Sequence, residues 1–238
     1  MASFYPIHST ERKISTEIIE CINSLPTKGK RYAAFDLDNT LLIGDIGETV
    51  FALLVKKKLI KGFGWQDYIN LVESDKLKAY KLIIDLMAGL PLTKLEEVTN
   101  EVIAYKSLSI SIEGCKLQVP KPNPLMKSVL GLLRNKGLRI YIVTASNEVS
   151  ARIICKKYFN IPPSDIIGAQ VARNKKEIIK IGKKEFPFGE GKVTILKKRF
   201  KTKPLVTGGD SPGDRFLLNY TQKSGIQFWL GKDEYHST

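Results

Sequence analysis

Four apolar residues, Tyr32-Ala33-Ala34-Phe35, run directly into Asp36-Leu37-Asp38-Asn39-Thr40, and this junction constrains the fold more than any other stretch. A short unbroken apolar run of this kind reads as a buried strand. Two carboxylates, two residues apart, then leave its C-terminal end. In open α/β sheets that end is where ligands sit. Carboxylates held side by side in a crevice lose hydration and repel each other, so the pair implies a metal ion between them. Taken alone, the residues also read as a polar turn, with Asp and Asn as turn formers and Thr capping the next element. The rest of the chain has to separate the two readings.

Before the junction, Ile14, Ile18, Cys21, Ile22 and Leu25 recur at helical spacing over 10–25, and Pro26 and Gly29 end that helix. Beyond Leu42 the pattern is helical only. Val50, Phe51, Leu54 and Val55 form one apolar face, and Ile69, Leu71 and Val72 belong to the next helix. Tyr80, Leu82, Ile83, Leu86 and Met87 follow, and Thr93 and Glu96 stand at capping-box spacing before Val98, Val102 and Tyr105. Pro120, Pro122 and Pro124 close the block.

From Asn123 short apolar runs alternate with helical stretches. Strands are expected at 140–143, 166–167, 205–206 and 226–229, with a hairpin or irregular piece before Phe188. Such alternation implies a doubly wound parallel sheet. The expected fold is therefore α/β, with residues 1–44 and 121–238 as a Rossmann-like core and 45–120 as an inserted all-helical cap domain.

Composition narrows the chemistry. The only histidines of the 238 residues, His8 and His236, stand near the two ends, which argues against a Ser-His-Asp triad or a histidine metal site. Acids and bases in such a chain are expected to be carboxylates. Cys21, Cys115 and Cys155 are widely spaced in apolar contexts, with neither a disulfide framework nor zinc spacing. The formal net charge of +14, much of it within 175–203, favours anionic partners such as phosphorylated molecules. No signal peptide and no membrane span is evident, and a cytoplasmic location is the expectation.

Four polar clusters occupy comparable places, after strands or at helix starts. Asp36 and Asp38 come first. Thr144 follows the second strand, offering a hydroxyl and helix amides to an anion. Lys192 opens a later helix and adds positive charge. Asp210 and Asp214 follow Gly208 and Gly209, which permit close backbone approach. Each alone reads as a cap or turn residue. Together they assemble oxygens for a hard divalent cation, Mg2+, beside donors for a phosphate.

These clusters resemble the motifs of the haloacid dehalogenase (HAD) superfamily of phosphohydrolases. Asp36-Leu37-Asp38-Asn39-Thr40 is similar to its first motif and Ile142-Val143-Thr144-Ala145 to its second. Lys192 fits the third, and Gly209-Asp210-Ser211-Pro212-Gly213-Asp214 the fourth. The insert resembles the helical C1-type cap of phosphoserine phosphatase-like members. The resemblance implies that Asp36 is a nucleophile forming an aspartyl-phosphate, and that Asp38 is the general acid and base. It also implies that Mg2+ is held by Asp36, the Asp38 carbonyl and Asp210 with Asp214 in support, and that Thr144, Ala145 and Lys192 bind the phosphate.

Substrate choice is expected from the cap and the segment after the first motif. Asp45 and Glu48 there can face an ammonium group, and Trp65, Tyr68 and Tyr80 can offer aromatic faces to a quaternary amine or merely pack a helical core. Phosphorylcholine- and phosphoethanolamine-type phosphatases of the resembled subfamily carry an acidic residue similarly placed, so the resemblance implies these compounds, with phosphoserine as a second candidate, for a small-molecule phosphomonoester substrate. A nucleotide or nucleic-acid end phosphatase is the alternative suggested by the basic stretch, and a non-catalytic binding protein on the same scaffold is the alternative of another class.

Overall fold

The alternating pattern produces a sheet flanked by helices in the computed structural model, which describes residues 2–7, 14–26, 28–29, 31–173, 178–181 and 185–232. The chain begins with β1 (Ser3–Pro6), α1 (Thr16–Ser24), β2 (Tyr32–Phe35) and β3 (Leu42–Ile43). Four helices follow, α2 (Ile46–Lys56), α3 (Trp65–Ser74), α4 (Lys76–Leu86) and α5 (Leu92–Ala104), then β4 (Ser109–Ile112), β5 (Cys115–Gln118) and β6 (Lys121–Pro122). The remainder runs α6 (Pro124–Asn135), β7 (Arg139–Asn147), α7 (Glu148–Phe159), β8 (Ile166–Ala169), β9 (Val171–Arg173) and β10 (Ile178–Ile181). It ends with α8 (Glu190–Arg199), β11 (Val206–Gly209), α9 (Arg215–Asn219) and β12 (Ile226–Trp229).

The main sheet has six strands in the order β1-β12-β11-β2-β7-β8. From β1 through β7, every neighbouring pair is parallel. From β2 the chain moves outward through β7 and β8, then returns to build β11 and β12 on the other side. The strand order therefore reverses between β2 and β11, the point at which a doubly wound sheet opens a crevice at its carboxyl ends.

The chain divides into two compact units, Met1–Ile43 with Pro122–Val143 and Pro187–Thr238, and Gly44–Lys121 with Thr144–Phe186. In the first unit β2 is buried along its whole length. Leu125, Met126, Val129, Leu130 and Leu133 bury the apolar face of α6. That helix starts where its sequence dictates: the Asn123 carboxamide oxygen accepts from the Leu125 and Met126 amides, and Pro124 occupies the first turn.

The second unit contains all of 45–120 together with α7 and β8. Nearly every residue of α2 is buried, and a hydroxyl contact of 2.8 Å between Thr99 and Ser150 links α5 to α7. The stretch expected to be wholly helical closes with an antiparallel hairpin, β4 and β5, in register from Ser109↔Gln118 to Ile112↔Cys115. Its cause lies in the local residues. Ser109-Ile110-Ser111-Ile112 alternates with period two, and Glu113 and Gly114 turn the chain at φ 48° and 79°. Strand β1, parallel to β12 at the sheet edge, is likewise absent from the expected strands and carries no periodic signal. The expected piece before Phe188 includes the antiparallel pair β9–β10.

His8, His236, residues 10–13 of the first expected helix and residues 175–177 and 182–184 of the basic stretch lie outside the described residues. Among the described residues, no helix is long and apolar enough to cross a membrane.

Candidate active site

Register places the acidic residues. Val206 pairs with Ala33 and Gly208 with Phe35, so Gly209-Asp210 leaves β11 beside the point where Asp36 leaves β2. The Asp36 amide continues the ladder by donating to the Gly208 carbonyl at 3.0 Å. A side chain at either glycine would block this approach. A Cβ on Gly208 would fall 2.6 Å from the Phe35 ring, and one on Gly209 would fall 2.3 Å from Asp214 Cβ. After Asp38 the chain reverses through Asn39, at φ 54°, a conformation Asn tolerates better than most residues.

The result is a group of three carboxylates, Asp36, Asp210 and Asp214, whose oxygens lie within 4.8 Å of one another. The buried Lys192 ammonium joins two of them, donating to Asp36 Oδ1 at 2.5 Å and to Asp214 Oδ1 at 2.6 Å. Lys192 reaches this position from the first turn of α8, which follows Gly189.

The three acids are not equivalent. Asp214 Oδ2 accepts from the Ser211 hydroxyl at 2.8 Å, the Ser211 amide at 3.1 Å and the Asp210 amide at 3.3 Å. Both of its oxygens are therefore engaged, and it anchors the loop and the lysine. Asp210 Oδ1 accepts from the Thr40 hydroxyl at 2.9 Å. Among the described residues, Asp36 Oδ2 has only a long 3.5 Å contact with that same hydroxyl, whose proton serves the nearer Asp210. Asp38 is buried two residues from Asp36.

Burial pushes the Asp36 carboxyl well above its ordinary range; Lys192 opposes this, while Asp214, Asp210 and Asp38 add to it. Asp210 is raised to about 7, chiefly by burial and by Asp214, against the Thr40 hydrogen bond. Burial alone would lower Lys192, but Asp214 and Asp36 outweigh it and hold the ammonium protonated. Among the groups acting on Asp36, three carboxylates stand against one ammonium.

The remaining expected residues belong to the second unit. Thr144 lies inside β7, three residues before Asn147, which caps α7 by accepting from the Ser150 amide at 2.8 Å. The helix amides are thus further along the chain than the sequence pattern suggests, and the Thr144 hydroxyl accepts from the Ser146 amide at 3.0 Å. Ala145 is half-buried beside it in the same strand. Asp45 caps α2 by accepting from the Glu48 amide at 2.8 Å, and the Glu48 carboxylate accepts from the Tyr68 hydroxyl at 2.9 Å. Tyr68 packs on Trp65, with ring centroids 5.0 Å apart, and both are buried. Burial and Glu48 raise the Tyr68 phenol far above its usual range. Asp45, Glu48, Trp65 and Tyr68 therefore form one connected group.

The family model for haloacid dehalogenase-like hydrolases matches residues 33–219. The chain belongs to this hydrolase family. No curated protein sequence matches it. Among solved structures, a conserved protein of unknown function from Anaerococcus prevotii is similar at TM-score 0.64 and 17% identity, over 88% of this chain and 84% of that one. A phosphoserine phosphatase solved as a phospho-aspartyl intermediate analogue is similar at TM-score 0.55 and 14% identity, over 87% and 96%. A phosphoserine phosphohydrolase-like protein from Francisella tularensis is similar at TM-score 0.53 and 18% identity, over 79% and 82%.

In this HAD-family hydrolase the donor set suits a hard divalent cation. It is all oxygen, it carries excess negative charge, and Asp36 and Asp210 retain lone pairs for a ligand while Asp214 is saturated. Thr40 and Ser211 are legible in the sequence only as cap or turn residues. The Thr40 hydroxyl orients Asp210, a pairing no local pattern announces because it is fixed by the meeting of β2 and β11, whereas Ser211 reaches Asp214 three residues on, at capping-box spacing.

Proposed function

We propose that this hydrolase is a Mg2+-dependent phosphomonoester hydrolase that carries the phosphoryl group on Asp36. The observation behind this reading is the convergence of Asp36, Asp210 and Asp214 at the carboxyl ends of β2 and β11, with Lys192 bridging Asp36 and Asp214. Asp36 Oδ2, left with one long contact, attacks phosphorus as the bond to the leaving oxygen breaks. Asp38 gives that oxygen its proton, then takes one from the water that cleaves the acyl phosphate and frees Asp36. Lys192 neutralises phosphoryl oxygens, and the Thr144 hydroxyl and Ala145 amide donate to them. Mg2+, held by Asp36, the Asp38 carbonyl and Asp210 with Asp214 supporting, supplies positive charge against the repulsion between carboxylate and phosphate. A phosphoserine phosphatase solved as its phospho-aspartyl analogue has the same fold, which supports the assignment.

Residues 45–120 serve as the cap, and 1–44 with 121–238 as the catalytic core. The substrate is a small amine-bearing phosphomonoester of the phosphorylcholine, phosphoethanolamine or phosphoserine type. Asp45 and Glu48 supply negative charge for the amine and Trp65 and Tyr68 the adjoining rings. The connected hydrogen bonds and ring contacts of these four residues support the grouping.

Phosphate release from p-nitrophenyl phosphate tests the chemistry. The rate with Mg2+ should exceed that in EDTA or for Asp36→Asn by at least roughly 10³-fold. Equal rates in all three overturn the mechanism. A panel of phosphomonoesters in which amine-bearing members show no advantage over neutral ones overturns the substrate class alone.

A further inference from the structure

The first unit contains a second concavity, at the end of the central strands opposite the carboxylates. Tyr32 is the first residue of β2 and is in register with Arg139, the first of β7, whereas Asp36 follows the last residue of β2. Four residues of strand separate the two ends, roughly 13 Å. The cavity encloses about 570 Å³, the size of a small-molecule site. Ligands of doubly wound sheets bind at the other end, so the fold alone does not account for it.

Its floor is aromatic. Tyr32 and Phe200 stack with centroids 4.3 Å apart and planes at 27°, and Tyr141 meets Phe200 at 4.7 Å and Tyr32 edge-on at 5.6 Å. Its rim is cationic. Arg139 and Arg199 lie over the Tyr141 ring at 5.3 and 5.1 Å, and Arg199 also lies 5.6 Å from the Phe200 centroid. Arg31, tied to the Pro26 and Lys136 carbonyls, and the exposed Lys201 complete the rim, and no carboxylate stands among the described lining residues. The cationic surface continues along Lys197-Lys198-Arg199-Phe200-Lys201-Thr202-Lys203, where Lys197 and Lys203 each lie over Tyr220, at 5.6 and 5.3 Å.

A bare anion would use the rim and ignore the rings, and a neutral aromatic would use the rings and gain little from the cations. The geometry points to a ligand with both parts: this cavity binds a nucleotide, its base against the Phe200, Tyr141 and Arg199 planes and its phosphate among Arg139, Arg199 and Lys201. Planar guanidinium groups over aromatic rings are suited to extend a base stack, and their charge to hold phosphate. The nucleotide can be free or one unit of a single strand; the chemistry recognised is the same.

The test uses full-length Asp36→Asn protein in EDTA, so that no probe is consumed. AMP, adenosine and inorganic phosphate are titrated calorimetrically, and 5′-fluorescein-labelled dT8 by anisotropy at several salt concentrations. AMP or dT8 should bind at least about tenfold tighter than adenosine or phosphate, because base and phosphate contacts combine. Adding Arg139→Ala with Arg199→Ala should weaken that binding at least about tenfold, and so should Lys201→Glu, an exposed position where folding is not at stake. With Asp36 intact, the same substitutions should leave p-nitrophenyl phosphate hydrolysis unchanged. A strand as natural ligand appears as dT8 binding tighter than AMP, with a salt slope that falls by roughly 0.7 for every phosphate that a substitution disengages. A free nucleotide appears as equal or tighter AMP binding. Phosphate binding as tight as AMP, no binding of AMP or dT8, or affinity that survives both sets of substitutions overturns the proposal. A lowered Tm with unchanged affinity likewise reduces the arginines to a structural role and overturns it.

Discussion

Replacing Lys192 by Met retains the apolar stem of the side chain and removes its charge. The ammonium lies 2.5 Å from Asp36 and 2.6 Å from Asp214, with side-chain exposures of 4%, 10% and 2% for the three groups. Removing one partner of a buried ionic group costs about 3–5 kcal/mol, because the remaining charge is left uncompensated. The two acids are held differently. Asp214 keeps three donors on Oδ2, whereas Asp36 keeps only a 3.5 Å contact among the described residues and takes up a proton. Lys192 is the group that lowers the Asp36 pKa, so its loss raises that pKa further. A carboxyl whose folded pKa lies above its unfolded value binds more protons in the folded state, and stability then falls as pH rises toward the folded pKa. The cost of Lys192→Met is therefore largest at pH 8 and smaller at pH 5.5. In EDTA the loss at pH 8 should be about 3 kcal/mol, or about 6–12 °C in Tm for a chain of this size. Thermal melts of both proteins at the two pH values measure it. A variant within 1 °C of the parent at pH 8, or one destabilised more at pH 5.5 than at pH 8, refutes the claim that this ammonium offsets the buried carboxylates.

Further outcomes come from the same geometry. Mg2+ should raise the Tm of the parent more at pH 8 than at pH 5.5, since Asp210, raised to about 7, is protonated at the lower value and competes as an acid for the same oxygens; equal shifts would contradict this. Thr40→Val removes the 2.9 Å hydrogen bond that orients Asp210 and should weaken Mg2+ affinity by roughly 10–100-fold, read from the metal dependence of hydrolysis. Gly209→Ala sets a methyl 2.3 Å from Asp214 Cβ and should cost about 1–3 kcal/mol in a denaturation curve, together with most of the activity. Tyr68→Phe leaves the Glu48 carboxylate without its 2.9 Å donor and should destabilise the protein by about 1–3 kcal/mol by the same measurement.

Several elements are legible because their signals are local. Tyr32–Phe35 is an unbroken apolar run, and α6 carries its own cap and apolar stripe, so both form where the pattern points. The hairpin Ser109–Gln118 escapes the pattern because its period-two alternation spans only four residues beside a long helical block. Strand β1 escapes it for a different reason: only pairing with β12, more than two hundred residues away, makes Ser3–Pro6 a strand. Thr144 shows a boundary error of the same origin. Strand β7 runs on through Thr144, Ala145 and Ser146 to Asn147 although these carry no strand signal of their own, and the cap falls there instead.

By itself the sequence determined the alternating α/β order, the carboxylates that leave β2 and β11, and the lysine at the start of α8. These depend on spacing along the chain, and spacing is written in the residues. Tertiary structure decided which oxygens remain available. Asp214 is saturated by Ser211, Asp210 and Lys192, while Asp36 Oδ2 is left with one long contact. It also decided that Tyr32, Tyr141 and Phe200 meet beneath arginines from two separate elements. Hydrogen-bond saturation and ring stacking act over a few ångströms between residues distant in the chain, and only the strand register brings such residues within reach.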